Sequence, residues 1–250
     1  MFQRGRYRVR LASCGADIQA AQRLRHLCFR GEDQASALDQ DDFDDICRHV
    51  LIEDQRQERL VCCYRVLPIK DGTEIERSYS AKFYELSALQ DFDGQILEMG
   101  RFCIHPDVLD PDILRLAWAA LTRIVDQDGV KMMIGCASFH GTEAHEYLDS
   151  FAMLQERHLA PNRWLPRVKA PNVFRFAQRR TSNPDRKRGL SKMPPLLRSY
   201  LGMGGWVSDH AVVDRDLNTL HVFTGLEINR IPPARARLLR AVAGSGVSAA

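Results

Sequence analysis

Apolar and polar residues alternate along Tyr7-Arg8-Val9-Arg10-Leu11-Ala12, a period of two that predicts a first strand. From Ala16 to Phe29 the apolar residues Ile18, Ala21, Leu24, Leu27 and Cys28 recur at helical spacing. This is the first predicted helix, and Arg25 and Phe29, four apart, share one of its faces. Residues 30–45 are polar and acidic and read as a surface loop. Val50-Leu51-Ile52 and the run from Leu60 to Leu67 read as paired strands. Ser78 to Leu89 reads as a short helix, with an irregular loop as the alternative.

The apolar run 95–104 predicts a buried strand. Pro111-Asp112-Ile113 then opens a strong helix, with proline near its first turn and an acidic N-terminus, and Gly129 ends it. Residues 130–137 form the next buried strand. A strand–helix–strand unit of this kind predicts a parallel pair with its crossover. Thr142 to Leu154 reads as another helix. Periodicity is poor from 156 to 193, where Arg, Lys, Pro and Asn accumulate. A Leu-rich helix over 195–201 and strands near 207–213 and 219–227 follow, and 231–250 read as a mobile tail or short helix. The pattern implies an α/β fold, one domain over 1–230 with a basic segment at 156–200.

Composition changes this picture little. A chain of 250 residues that is 45% apolar and 27% charged can bury a core. No apolar run reaches membrane-spanning length, and the charged start predicts no signal peptide. Seven cysteines without C-x-x-C spacing predict reduced thiols. Charge is unevenly spread. Residues 1–150 carry 18 Lys and Arg against 26 Asp and Glu, whereas residues 151–250 carry 17 against 6. The basic second half points to an anionic partner or surface.

Candidate chemistry centres on Glu98-Met99-Gly100-Arg101-Phe102. A carboxylate and a guanidinium inside an apolar strand are costly unless paired or used. A buried ion pair is the plain alternative to a catalytic role. Upstream stand Arg25-x-x-x-Phe29, Asp41-x-x-Asp44 and Tyr64-Arg65-x-x-Pro68.

That order of motifs resembles the acyl-homoserine-lactone synthases, a branch of the GNAT fold that takes acyl chains from acyl carrier protein. Cys136-Ala137-Ser138-Phe139-His140-Gly141, the Pro194–Leu201 segment and Asn218–Phe223 resemble a sister group more closely, the bacterial L-ornithine N-alpha-acyltransferases that begin ornithine-lipid synthesis. The resemblance covers residues 6 to 227. It implies a GNAT-like mixed, twisted sheet flanked by helices. It also implies transfer of a fatty acyl group, 3-hydroxylated or plain, from acyl carrier protein to the α-amine of L-ornithine. Glutamine or another amino acid as acceptor, or lactone synthesis, remains open.

The resemblance assigns Glu98 as general base, a role that burial would suit by raising its pKa. It makes Arg101 an ordering group, and places Arg25, Phe29, Asp41, Asp44, Arg65, Ser138 and Phe139 at the substrates. Gly100 stands where the lactone synthases usually carry serine, so no hydroxyl role is carried over. The acidic run could equally be a solvated loop or a set of bracing salt bridges.

Rival signatures are weaker. His49-Val-Leu-Ile-Glu-Asp54 matches the H-x-x-x-x-D of glycerolipid O-acyltransferases, but the rest of that pattern is missing. There is no G-x-S-x-G, and His140, Glu143 and His145 lack zinc spacing. The glycine-rich loop that binds acetyl-CoA is absent between 103 and 113. The donor is therefore expected to be held differently from acetyl-CoA, and the resemblance implies the acyl-phosphopantetheine of acyl carrier protein, with no resident cofactor and no metal. Arg179, Arg180, Arg186, Lys187 and Arg188 in the basic stretch are expected to dock that acidic carrier. An anionic inner leaflet is a second anionic surface within reach, and a non-enzymatic basic binding module is a further alternative. Sparse aromatic interleaving argues against nucleic acid. The expected location is cytoplasmic, with peripheral contact at the inner membrane.

Overall fold

The computed structural model describes residues 1–31, 37–179 and 184–244. In chain order the elements are β1 (Phe2–Arg4), β2 (Tyr7–Leu11), α1 (Gly15–Arg30), β3 (Arg48–Asp54), β4 (Arg59–Ile69), β5 (Tyr84–Glu85) and β6 (Ile96–Ile104). Then come α2 (Asp112–Asp128), β7 (Met132–His140), α3 (Leu148–Arg157), β8 (Arg167–Val168), β9 (Val173–Phe174) and α4 (Arg186–Lys192). The chain closes with α5 (Pro195–Gly202), β10 (Trp206–Asp214), β11 (Thr219–Glu227) and α6 (Pro233–Gly244).

Two compact units divide these residues. Met1–Pro68, Met99–Val130 and Pro233–Ala250 form the first, and Ile69–Glu98 and Lys131–Pro232 form the second. β6 therefore contributes 96–98 to one and 99–104 to the other.

In the first unit the strand order is β1-β2-β3-β4-β6, with β1 to β4 antiparallel neighbours (Phe2↔Val9, Val9↔Ile52, Val50↔Tyr64). α1 buries Ala21 and Leu24 against Leu51, Cys63 and Cys103. Its C-terminus closes as helices ending in glycine do: Gly31 takes φ 72° and donates to the Leu27 carbonyl. α2 buries its apolar stripe, including Ile113, Leu116 and Ile124, and its Ala117 carbonyl accepts from the Tyr64 hydroxyl at 2.9 Å. Within 231–250, read as a mobile tail or short helix, residues 233–244 form the helix α6. It packs along α2 and is tied there by Arg240–Asp126 (2.8 Å) and by Arg123 donating to the Ala243 carbonyl.

In the second unit the order is β6-β7-β11-β10-β9. β7 and β11 pair antiparallel from Met132↔Glu227 to His140↔Thr219. The β10–β11 ladder bulges between Val207 and Ala211. Ser208 fills the bulge, donating to the His210 carbonyl (2.7 Å) and accepting from the Phe223 N–H (3.1 Å). One sheet face carries Ala137, Phe139, Val207, Ala211, Leu220 and Val222 into a core with Phe151, Leu154 and Leu197. Gly225 is required where it stands, because an added Cβ would lie 2.2 Å from the Trp206 ring.

Of the two readings of 78–89, a short helix or an irregular loop, the helix is not formed and the irregular one holds. The segment makes short 3-10 turns at Ser80–Lys82 and Ser87–Leu89 around the two residues of β5. Its apolar residues Ala81, Tyr84, Leu86 and Leu89 are buried singly rather than as a helical stripe.

Candidate active site

Glu98 lies on β6 and is 4% exposed. Three donors meet its carboxylate. The Tyr79 N–H reaches Oε2 at 2.6 Å, while the Ser80 N–H and the Ser80 hydroxyl reach Oε1 at 2.8 and 2.6 Å. The turn that supplies them is pinned by Ser78, whose hydroxyl accepts from the Ala81 N–H at 3.1 Å. Hydrogen bonds donated to a carboxylate favour its ionised form, so these three oppose the drive of burial toward the neutral acid. Ser80 Oγ also lies 3.4 Å from Cys136 Sγ on β7. Burial and the charge of Glu98 both push the Tyr200 phenol well above its usual range.

The first unit holds a second cluster, with three guanidiniums against three carboxylates. Arg25, 1% exposed, donates to Asp39 (2.9 Å) and forks onto both oxygens of Asp44 (2.7 Å each). Arg65 reaches Asp41 (2.5 and 2.8 Å) and Asp44 (2.7 Å). Arg101 reaches Asp39 (3.1 Å) and Asp41 (3.2 Å). Gln22 adds a bond to Asp44 at 2.9 Å. The segment read as a solvated loop is thus folded inward at Asp39 and Asp44, both buried. Asp41 caps the 42–44 turn through the Phe43 N–H at 3.0 Å.

Burial alone would raise the Asp44 pKa. Bonds from Arg25, Gln22 and Arg65 outweigh it and hold the carboxyl well below the usual range. Asp41 is lowered in the same way, burial being outweighed by Arg65 and Arg101.

Arg101 has φ 53°, a left-handed conformation rare for a non-glycine residue in a strand. The cost of that geometry, about 1–3 kcal/mol, is offset by the bonds it allows to Asp39 and Asp41. Its guanidinium also lies 6.0 Å from the Phe29 ring centroid. Gly100 leaves room: the nearest atom to an added Cβ is Arg65 Nε at 3.9 Å.

The remaining sequence candidates separate. Ser138 is exposed on β7, on the side opposite the core. Phe139 points the other way. It is 1% exposed and packs between Tyr147 (4.9 Å) and Phe151 (5.1 Å), so its ring serves the core and not a substrate. In the basic stretch, Arg186 pairs with Glu156 (3.0 Å) and Arg188 with Asp149 (3.6 Å). Arg179 lies 4.7 Å from the Phe174 ring centroid. Lys187 is exposed, and Arg180 lies outside the described residues.

His49 and Asp54 have separate partners, His49 the Asp44 carbonyl (3.0 Å) and Asp54 the guanidinium of Arg6 (3.3 Å). That is not the geometry of a catalytic dyad. Among the described residues no cluster of His, Cys, Asp and Glu could hold a metal.

Sequence reasoning missed Asp39, Gln22, Tyr79, Ser80 and Tyr200. The polar run Ser78-Tyr79-Ser80 was the available signal for the Glu98 partners, hidden by the helical reading of that segment.

The fold and this buried carboxylate define a class. The family described as acetyltransferase (GNAT) domain matches residues 24–119. The solved structure of FeeM, an N-acyl amino acid synthase from uncultured soil microbes, superposes with a TM-score of 0.53 at 10% identity. It covers 90% of this chain and 93% of that one, a likeness of fold. The protein is a GNAT-type N-acyltransferase.

Sequence similarity narrows the class. The L-ornithine N(alpha)-acyltransferase of Rhodobacter capsulatus is 33% identical over 229 residues, spanning 86% of this chain and 88% of the relative. That of Brucella abortus is 30% identical over 242 residues, 91% and 86% of the two chains. The chain belongs to the L-ornithine N(alpha)-acyltransferase family. These relatives favour that reading over lactone synthesis.

Proposed function

We propose that the protein transfers a fatty acyl group from the phosphopantetheine thioester of acyl carrier protein to the α-amine of L-ornithine, with Glu98 accepting the proton. The relatives named above carry the choice of acceptor. The basic second half of the chain supports an acidic protein as donor.

The amine nitrogen attacks the thioester carbonyl, the C–N bond forms and the C–S bond breaks. The amine proton passes to Glu98, directly or through water, and the departing phosphopantetheine thiolate is protonated. An α-amine is largely protonated at neutral pH, so a fixed carboxylate that takes the proton speeds the step. Tyr79 and Ser80 hold both Glu98 oxygens and leave the side chain little rotational freedom.

Arg25, Arg65 and Asp44 brace the first unit. Asp41 and Arg101, with side chains 22% and 12% exposed, are the members of that network through which an acceptor would be felt. Ser138 and Phe29 are the remaining proposed substrate contacts. Arg186 and Arg188 are already engaged, so Lys187 and Arg179 are the stronger candidates for carrier docking.

The test supplies purified protein with ornithine and either acylated carrier protein or the matching acyl-CoA, and follows products by mass. N-acylornithine formed faster from the carrier protein is the expected result. Acylation of glutamine in preference to ornithine would overturn the acceptor, and equal use of acyl-CoA would overturn the donor.

A further inference from the structure

Three cysteines that the mechanism does not use meet in the first unit. Cys28 stands in the last turn of α1, Cys63 on β4 and Cys103 on β6, and all are free thiols. Cys63 Sγ and Cys103 Sγ lie 3.5 Å apart, and Cys28 packs against the same cluster. The Cys28 sulfur is 3.3 Å from the carbonyl oxygen of Ile104, the residue after Cys103.

The protons of this cluster can be placed. A thiol has one proton, and a carbonyl only accepts. Cys28 therefore donates to the Ile104 carbonyl, and Cys63 to the Ala21 carbonyl at 3.7 Å. Cys103 holds the proton that remains for a sulfur acceptor. Its hydrogen bond with Cys28 lowers the Cys28 pKa in spite of burial, and the same bond, with Cys63 and burial, pushes the Cys103 thiol well above its usual range.

Exposure separates the roles. Cys63 and Cys103 are buried, whereas Cys28 is half-buried and open to a small oxidant. An accessible thiol with a favoured thiolate, in contact with a second thiol that can resolve it, is the arrangement of an oxidisable pair. Cys62 points to the other face of β4 and is fully buried, so it takes no part.

We propose that Cys28 and Cys103 are a peroxide-oxidisable pair whose disulfide clamps the last turn of α1 to β6. The Cys28 thiolate attacks one oxygen of hydrogen peroxide and the O–O bond breaks. Cys28 becomes a sulfenic acid, and the hydroxide released takes up the proton that Cys28 gave up and leaves as water. The Cys103 sulfur then attacks the Cys28 sulfur. The S–S bond forms, the S–O bond breaks, and a second water departs with the Cys103 proton. Two thiols are oxidised and one peroxide is reduced.

The clamp falls beside the charged network. Arg25 stands one helical turn before Cys28, and Arg101 is on the same strand as Cys103. Both hold Asp39. Phe29, next to Cys28, faces the Arg101 guanidinium. A disulfide is shorter than a thiol contact, so closing it draws α1 and β6 together there. The effect on turnover rests on the acyltransferase reading; the disulfide itself does not. Displacement beside a substrate-facing group should lower turnover about tenfold to a hundredfold.

The experiment treats the reduced protein with hydrogen peroxide and maps disulfides by mass after digestion without reductant. Acyl transfer is followed before oxidation, after it, and after dithiothreitol. A Cys28–Cys103 crosslink with the mass loss of two hydrogens is expected, together with a fall in turnover that dithiothreitol restores. That reversal separates the disulfide from methionine sulfoxide, which needs its own reductases. Cys28→Ser should keep the resting turnover and lose the response to peroxide. No crosslink between these two cysteines, a Cys63–Cys103 crosslink in its place, or equal inhibition of Cys28→Ser overturns the proposal. A crosslink that leaves turnover unchanged overturns the clamp. Absence of turnover in the reduced protein would instead sink the acyltransferase reading, and the disulfide map still decides the pair.

Discussion

At the scale of single residues, the mechanism depends on one carboxylate and the three donors around it. Glu98→Gln keeps shape but cannot accept a proton. Turnover should fall on the order of 10²–10⁴-fold with a smaller change in acceptor KM, and raising pH should recover part of the rate as more amine is already neutral. A folded Gln variant with near-normal turnover at neutral pH would refute the base assignment. Ser80→Ala removes one charged hydrogen bond, worth about 1.5–3 kcal/mol, while the Ser80 and Tyr79 N–H donors stay. Because a lost donor disfavours the ionised form, the acid limb of the kcat profile should move to higher pH. A limb that stays in place would mean that Ser80 serves the turn alone. Gly100→Ala is expected to fold normally, since Arg65 Nε at 3.9 Å is in ordinary contact range.

At the scale of elements, Arg25, Arg65 and Arg101 tie α1, β4 and β6 to the 39–44 segment through Asp39, Asp41 and Asp44. Removing one partner of such a buried set strands the other charges. Arg25→Met should therefore cost about 3–5 kcal/mol, read from denaturant unfolding. The same network sets an acid limit. Asp44 has a folded pKa depressed below its unfolded value near 4. Its contribution to stability is complete above the unfolded value and is lost as pH falls below it toward the folded one. Asp44→Asn should flatten that acid limb while lowering stability at neutral pH, and an unchanged limb would place the acid sensitivity elsewhere. On α4 the engaged arginines make a poor docking test, because reversing Arg186 would set Glu against Glu156. Lys187→Glu avoids this. It should raise KM for acyl carrier protein with the melting temperature held, and a flat KM would remove α4 from the docking surface.

At the scale of the whole molecule, the charge of the chain is segregated along its length, acidic through residue 150 and basic after it. If encounter with an acidic carrier is electrostatically assisted, added salt should raise its KM and leave kcat nearly unchanged. A salt-independent KM would argue for an apolar contact. No described helix is long and apolar enough to cross a membrane.

Much of this was legible in the residues themselves. An alternating run marked β2, the stretches 60–67, 207–213 and 219–227 read as strands form β4, β10 and β11, and α1 and α2 were read as helices, the second with its glycine end at 129, because local periodicity reports which face is buried. The order of Arg25, Asp41, Asp44, Arg65, Glu98 and Arg101 marked the charged positions, since charges within apolar runs need a reason. Their partners were not legible. Glu98 and Arg101, three residues apart, read equally well as one pair, yet Arg101 turns to Asp39 and Asp41 through a left-handed residue, and Glu98 is met by a turn read as helix. Ser138 and Phe139 read as one motif, but strand alternation sends one to an exposed face and the other into the core. The basic stretch read as one free surface until α3 supplied acids to two of its arginines. Sequence determined which residue types could do the chemistry and which segments could fold locally. Tertiary structure alone decided which charge meets which, because hydrogen bonds and ion pairs act over a few ångströms between residues as far as 137 positions apart.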